Sequence, residues 1–173
     1  MKVYDGSQTE DTQDTEPERL KVGIAEYEVT TDAAVLTTSG LGSCIGIALY
    51  DEPTGAAGLV HIMLPTAEDV EGGNRAKFAD TGVTELVEAL EAAGASTSTM
   101  RAKIAGGSDM LDFSESGSSI GSRNLDQVQD TLAEYGIPIA GEDVGGDHGR
   151  SLRLESDTGD LVVKSANTES IVL

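Results

Sequence analysis

The chain is poor in aromatic and basic residues. Its 173 residues include no Trp, two Phe, four Tyr and only 11 Lys and Arg, against 31 Asp and Glu, so the formal net charge is −20. Because so acidic a chain is repelled by phosphate groups, this composition argues against nucleic acid and anionic membrane surfaces as partners. With so few aromatics, we expect a core built from Val, Ile, Leu and Ala.

Cysteine and long apolar runs are also scarce. Cys44 is the single cysteine, so the chain can form no internal disulfide, which fits the reducing interior of a cell. No run approaches the ~20 apolar residues of a membrane span, and the acidic N-terminus lacks the apolar stretch of a secretory signal. We therefore expect a cytoplasmic protein that does not insert into a membrane.

The acidic excess indicates a particular solvent rather than disorder. Hydrophobic residues make up 38% of the chain and fall in regular clusters, as in a folded domain. A folded domain tolerates many surface carboxylates where molar salt screens their repulsion. We interpret the chain as a protein of a halophilic cytoplasm.

The pattern along the chain predicts one α+β domain. Residues 1–19 are expected to be an acidic disordered tail, residues 20–165 the domain and residues 166–173 a C-terminal tail. Two helices are expected, the first capped by Asp80 or Thr81 and ended by Gly94, the second starting at Ser122 or Asn124 and ended by Gly136. Strands are predicted at residues 22–29, 33–37, 45–50, 58–63, 102–105, 137–140, 151–155 and 161–164.

One interval is almost free of charge. Residues 33–50 carry no charged side chain, and residues 33–67 carry only Asp51 and Glu52, in a chain that is 24% charged. We interpret this interval as three strands buried on both faces, with a glycine-rich turn at residues 39–43. If the second and third strands form an antiparallel hairpin, His61 lies beside Cys44.

This pair suits acyl transfer from an amide. An imidazole can take the proton of a neighbouring thiol, forming a thiolate–imidazolium pair, and later pass it to a leaving amine. Gly40 and Gly42 let the backbone turn its N–H groups toward a developing oxyanion, with the amides of Ser43 and Cys44 as donors.

The residues alone leave other interpretations open. A lone buried cysteine is often a small hydrophobic residue, and a histidine in an apolar strand is often a core residue. Zinc binding is weakly supported because Cys44, His61 and His148 lack paired ligand spacing. The GLGSC segment also lacks the lysine and following helix of a phosphate-binding loop. No metal or cofactor is therefore expected.

An ordered set of motifs gives the chain a family resemblance. TSGLGSCIGIALYD followed by GLVHIMLP resembles the signature of the CheD family of chemoreceptor glutamine deamidases. The resemblance continues through KFAD, IAGGSDM, IGSRN, YGIPIAGEDVGGDHGR and TGDLVVK, and so spans about residues 22–164. One motif such as GLGSC would be weak evidence, whereas the ordered set is specific.

The resemblance implies a nucleophile, a base and a threonine six residues before the nucleophile, which are Cys44, His61 and Thr38 here. It implies hydrolysis of receptor glutamine side chains to glutamate, with glutamyl methyl esters as further substrates of some members, and a CheC-type phosphatase as protein partner. It also implies a mixed β-sandwich with two to three flanking helices, similar to the catalytic domain of cytotoxic necrotizing factor toxins. Thr38 could instead cap its own turn.

Several matching residues keep open roles. Asp80, Arg123 and Asn124 lie at expected helix starts, where caps and charge pairs are the simple explanation. His148 lies in a charged loop and is expected to be exposed.

Two other functional classes compete with the deamidase. One is a chemotaxis adaptor that docks a CheC-type partner with little turnover, and the other is a general cysteine hydrolase or peptidase, for which no papain-type motif is present.

Overall fold

The computed structural model describes residues 17–67, 73–109, 119–166 and 168–173. Most of the expected N-terminal tail, residues 1–16, lies outside these ranges. The described residues form ten strands, two α-helices and a short 3-10 helix, so the predicted α+β class is confirmed. The strands are β1 Glu18–Lys21, β2 Tyr27–Thr30, β3 Ala34–Leu41, β4 Ile45–Asp51, β5 Ala56–Ile62, β6 Met100–Gly106, β7 Ile139–Val144, β8 Arg150–Glu155, β9 Asp160–Ser165 and β10 Ile171–Val172.

Two five-stranded mixed sheets face each other. One, here called the open sheet, has the strand order β1-β3-β8-β9-β10, and the other, the covered sheet, has the order β2-β5-β4-β6-β7. Helices α1, Ala79–Ala92, and α2, Ile120–Glu134, pack with the covered sheet around one apolar core, while a second apolar core fills the space between the sheets. The covered sheet thus lies between two cores.

Strand alternation explains the uncharged interval. Ile45, Ile47 and Leu49 of β4 point to the helix-side core, whereas Ala48 points to the inter-sheet core. Every residue of β5 is buried. The prediction of strands buried on both faces is confirmed for β4 and β5, but β3 alternates between buried and partly exposed residues and is buried on one face.

The ends of several elements differ from the sequence prediction. Helix α1 begins after Phe78, which makes no side-chain cap, and helix α2 begins after Ser119, whose hydroxyl accepts from the Ser122 N–H at 3.0 Å. The predicted caps Asp80, Thr81, Ser122 and Asn124 therefore all lie inside helices.

Pairing extends beyond the expected domain bounds at both ends. β1 begins at Glu18 and pairs in parallel with β3, while β10 pairs with β9 within the expected C-terminal tail. Neither extension has the apolar alternation of a buried strand, which is why the sequence gives little sign of it: Glu18, Arg19, Lys21, Ile171 and Val172 are all exposed.

Candidate active site

A β-bulge positions Thr38. Against β8, Thr38 pairs with Leu152 and Leu41 with Arg150, so β3 advances three residues while β8 advances two. The extra residue lets both Thr38 and Leu41 point inward, where both are buried, and Gly40 takes up the bend at a φ of +76°. The expected turn at residues 39–43 is therefore partly strand.

The hairpin register places Cys44 and His61 on one face of the covered sheet. β4 pairs antiparallel with β5, and Gly46 lies directly opposite His61. Cys44 is two residues before Gly46, so it shares the face of Gly46 and His61 and is the diagonal neighbour of His61. This face looks into the inter-sheet core, against which the half-buried Cys44 packs.

Thr38 and His61 are joined across the sandwich. The Thr38 hydroxyl lies 2.8 Å from Nδ1 of His61 in a buried hydrogen bond, although the two residues belong to different sheets. His61 is fully buried, and its Nε2 has no hydrogen-bond partner among the described residues. The imidazole is thus held by one nitrogen and free at the other.

Burial makes the neutral forms of the thiol and the imidazole the stable ones. Loss of solvation lowers the pKa of His61 to about 4, and it raises the pKa of the Cys44 thiol. The backbone N–H of Cys44 partly offsets the second shift by favouring the thiolate. A thiolate–imidazolium pair is therefore disfavoured as the resting state near neutral pH.

Close backbone contacts hold the segment that leads into Cys44. The Gly107 N–H donates to the Cys44 carbonyl and the Ser108 N–H to the Gly42 carbonyl, both at 2.9 Å. A Cβ on Gly106 would overlap the Cys44 carbonyl oxygen and crowd Cα of Ile45. The glycine pair at 106 and 107 thus serves close approach of the chain to its own Cys44 segment.

Asn124 of helix α2 connects the nucleophile segment with the strand of the histidine. Its Nδ2 donates to the Ser43 carbonyl at 2.8 Å and to the Met63 carbonyl at 3.0 Å. Because C=O and N–H point in opposite directions across a trans peptide, a Ser43 carbonyl held by Asn124 turns the Cys44 N–H away from the helix. Neither role predicted for Asn124, a helix cap or a charge pair, is observed, because its side chain is buried inside the first turns of α2, and no local pattern predicts these two bonds.

Unpaired buried polar atoms concentrate around this site. Three side-chain atoms in the described residues are buried without a partner: Nε2 of His61, Oδ1 of Asn124 and Oγ of Ser108. All three residues either belong to the candidate pair or hydrogen-bond the segment 42–44. Such unpaired groups are rare in folded proteins, and their presence at one place marks a functional region.

Other residues from the motifs serve the fold or lie at the surface. Asp80 accepts from the Thr81 N–H within the first turn of α1, at 2.8 Å, and Arg123 is exposed. His148 lies 3.8 Å from Asp147, and its side chain is 41% exposed, which fits the expected exposed loop. Within the described ranges, no group of three or more His, Cys, Asp or Glu side chains is arranged to hold a metal.

The candidate site thus holds a half-buried thiol and an imidazole bonded to a hydroxyl on one sheet face, which are the kinds of groups that cysteine–histidine acyl-transfer sites use. A family model described as CheD chemotactic sensory transduction matches residues 63–165. The chain belongs to the CheD family.

Full-length relatives bear similar names. A protein of Haloarcula marismortui named "Probable chemoreceptor glutamine deamidase CheD" is 69% identical over all of both chains. One of the same name from Natronomonas pharaonis is 44% identical, with 90% of this chain and 93% of that one covered. The "Chemoreceptor glutamine deamidase CheD" of Halalkalibacterium halodurans is 41% identical, with 86% and 94% covered. The two haloarchaeal relatives support the predicted halophilic origin.

Among solved structures, "hypothetical protein YfiH" of Bacillus licheniformis superposes with a TM-score of 0.43 and 13% identity. The superposition covers 68% of this chain and 49% of that one. A likeness of this size carries no argument about fold or function.

No helix within the described residues has the length and apolarity needed to cross a membrane.

Proposed function

We propose that this protein is a chemoreceptor glutamine deamidase, an amidohydrolase that converts receptor glutamine side chains to glutamate and releases ammonia. The observation that supports it most is the buried Thr38–His61 hydrogen bond, made on the sheet face that carries Cys44. The names of relatives that match the chain over most of its length supply the substrate class.

The first step is proton transfer during nucleophilic attack. For Nε2 of His61 to accept a proton, Nδ1 must carry the ring proton and donate it to the Thr38 oxygen. Cys44 Sγ then bonds to the carboxamide carbon while its proton moves to Nε2. Because burial favours the neutral pair, we propose that the proton moves during attack rather than beforehand.

The negative charge that develops on the amide oxygen needs donors near the sulfur. The Gly42 N–H already donates to the Gly40 carbonyl at 3.2 Å, whereas the amides of Ser43 and Cys44 donate to no described backbone carbonyl. We assign the oxyanion to the Ser43 and Cys44 amides, with Gly42 shaping the turn and Asn124 fixing the direction of the Cys44 N–H.

Three further proton transfers complete the cycle. The imidazolium gives its proton to the leaving nitrogen, the C–N bond breaks, and ammonia departs from a thioester on Cys44. Water then loses a proton to Nε2 and attacks the thioester carbon. The C–S bond breaks, Cys44 recovers the proton, and the substrate leaves as glutamate.

The test is the intact mass of a receptor cytoplasmic fragment incubated with the protein in molar KCl, since low salt could unfold so acidic a chain. Wild type should release ammonia and add about one dalton per modified glutamine, whereas peptide cleavage would split the fragment. Cys44→Ser, which keeps a similar side-chain volume, should add none. Mass gain with Cys44→Ser and also with Cys44→Ala, which leaves no hydroxyl to replace the thiol, would show that the nucleophile is another group.

We also propose a CheC-type phosphatase as a protein partner and the cytoplasm as the location. The first rests on the family resemblance, and the second on the single free thiol, which fits a reducing compartment. The mass assay repeated with a CheC-type phosphatase should give a changed rate of deamidation.

A further inference from the structure

The outer face of the open sheet carries an unusual concentration of cations. A cleft of about 600 Å³ there is lined by Arg19, Lys21, Arg153 and Lys164, and by no Asp or Glu among the residues that line it. These are four of the 11 basic residues in a chain with 31 acidic ones. We call this cleft the basic groove.

The strand register explains how the basic groove is built. Lys21, Thr37 and Arg153 form one row across β1, β3 and β8, and Lys164 lies in the next row, opposite Ser151. Their side chains share the outer face because Leu20, Leu36 and Leu152 point to the inter-sheet core. Neither described α-helix packs on this face.

Most of the charge in the groove is not neutralised within the described residues. Arg153 is paired with Glu155 at 3.2 Å. Arg19, Lys21 and Lys164 are exposed, and none of them makes a salt bridge with a described carboxylate. Within the part of the chain that the structure describes, three cations of the groove therefore have no carboxylate partner and can meet an anionic one.

The basic groove borders the segment of β3 that leads to the candidate active site, while Cys44 and His61 are not among the residues that line it. Its lining includes Thr38, Ser39 and Gly40, the bulge residues from which the chain continues to Cys44. Adjacent rows lie about 7 Å apart along a strand, so the cations from Lys164 to Arg19 extend about 14 Å from the bulge. That length matches two to three turns of a helix lying along the groove.

We propose that the basic groove is the docking surface for an acidic helical segment of the chemoreceptor while one of its glutamines reaches Cys44. This inference rests on the proposed function. Amide hydrolysis exchanges a neutral carboxamide for a carboxylate, so each turnover makes the segment more anionic. Away from the groove, a protein of net charge −20 repels such a segment.

In high salt, the cations of the groove can stabilise a bound receptor segment only through direct contact with its acidic groups. At molar ionic strength the screening length is about 3 Å, so charges act only where they touch. The groove therefore selects the bound register rather than attracting the receptor from a distance, and its removal should affect binding more than the chemical step.

The test compares receptor binding and kinetics of the groove double variant Lys21→Glu/Lys164→Glu with those of the control double variant Arg75→Glu/Arg101→Glu. The control makes the same charge change at two exposed cations outside the groove and, among the described residues, breaks only the surface pair of Arg75 and Glu85. The probe is a haloarchaeal receptor cytoplasmic fragment in molar KCl. Binding is measured in the Cys44→Ser background, and KM and kcat in the active protein.

We expect the groove variant to raise Kd and KM at least about tenfold with kcat within about twofold, and the control to change each less than about twofold. The Kd and KM of Lys21→Gln/Lys164→Gln should lie between those of wild type and the charge-reversal groove variant. Thermal unfolding in the same salt checks that each variant is folded. Equal Kd values for groove and control variants would overturn the docking surface while leaving deamidation intact. Receptor binding that depends on the groove without any mass gain would instead overturn the proposed function.

Discussion

The two sheets differ in what lies on their outer faces. Strands β4 and β5 of the covered sheet are buried on both sides, whereas β3 of the open sheet has one buried face and one face in the basic groove. His61 comes from the first environment and Thr38 from the second. The two sheets therefore have different roles. The covered sheet holds the buried imidazole of His61, and the open sheet contacts that imidazole through Thr38 on one face and solvent on the other.

The largest expected effect comes from disturbing the covered sheet where it meets Cys44. Gly106→Ala should abolish measurable deamidation and lower the free energy of unfolding by at least about 3 kcal/mol, because the added Cβ meets backbone atoms of Cys44 and Ile45 at a φ of +119°. Chemical denaturation in molar KCl and the mass assay check both.

Gly94→Ala is the matched control for backbone conformation. Gly94 has a φ of +104°, but nothing lies within 4 Å of an added Cβ, so only the cost of the left-handed conformation, about 1–2 kcal/mol, is expected. Equal losses in the two variants would mean that the contact at Cys44 is unimportant.

A smaller effect is expected where the open sheet touches the imidazole. Thr38→Val removes the oxygen that lies 2.8 Å from Nδ1 and should lower kcat roughly ten- to a hundredfold, with KM little changed, because the ring loses its orientation and tautomer. Thr38→Ser should restore most of the rate.

Thr37→Val provides the control on the opposite face of the same strand. Thr37 shares its row with Lys21 and Arg153 on the outer face, so its hydroxyl cannot reach His61, and kcat should stay within about twofold. A matching kcat loss in Thr37→Val would assign the effect to β3 as a whole.

The last effect, which is the smallest when taken over one pH unit, concerns the pH dependence of stability. The pKa of His61 is about 4 in the folded protein, below its ordinary value of 6.5, so between these values the unfolded chain binds a proton that the folded one does not. Stability should therefore fall as pH drops from 6.5 toward 4, with His61 contributing up to about 1.4 kcal/mol per pH unit.

His61→Gln should remove that share of the slope, while His148→Gln, at a partly exposed ring, should leave it in place. Unfolding free energies at several pH values in constant KCl give the comparison. Identical slopes in wild type and His61→Gln would contradict a neutral buried imidazole.

Sequence reasoning succeeds best where one periodic pattern dominates. The uncharged interval predicted the β4–β5 hairpin, and a helix was predicted between residues 80 and 94, where α1 buries Val83, Leu86, Val87 and Leu90. It failed where a strand forms because of its pairing partner. The residues of β1 and β10 are mostly exposed and show no buried pattern, and the bulge at Thr38 depends on pairing with β8, more than a hundred residues away. The link from Asn124 to Ser43 and Met63 is tertiary and leaves no local pattern.

The Asn124 amide has a consequence for motion. Its two hydrogen bonds hold the residue just before Cys44 and the residue two positions after His61 to the same point on α2. Local opening of either strand end would have to break one of these bonds, so the amide couples the motions of the two segments that carry Cys44 and His61. Amide hydrogen exchange around Cys44 and Met63 should accordingly follow one shared opening event with α2, rather than separate fraying of each strand end.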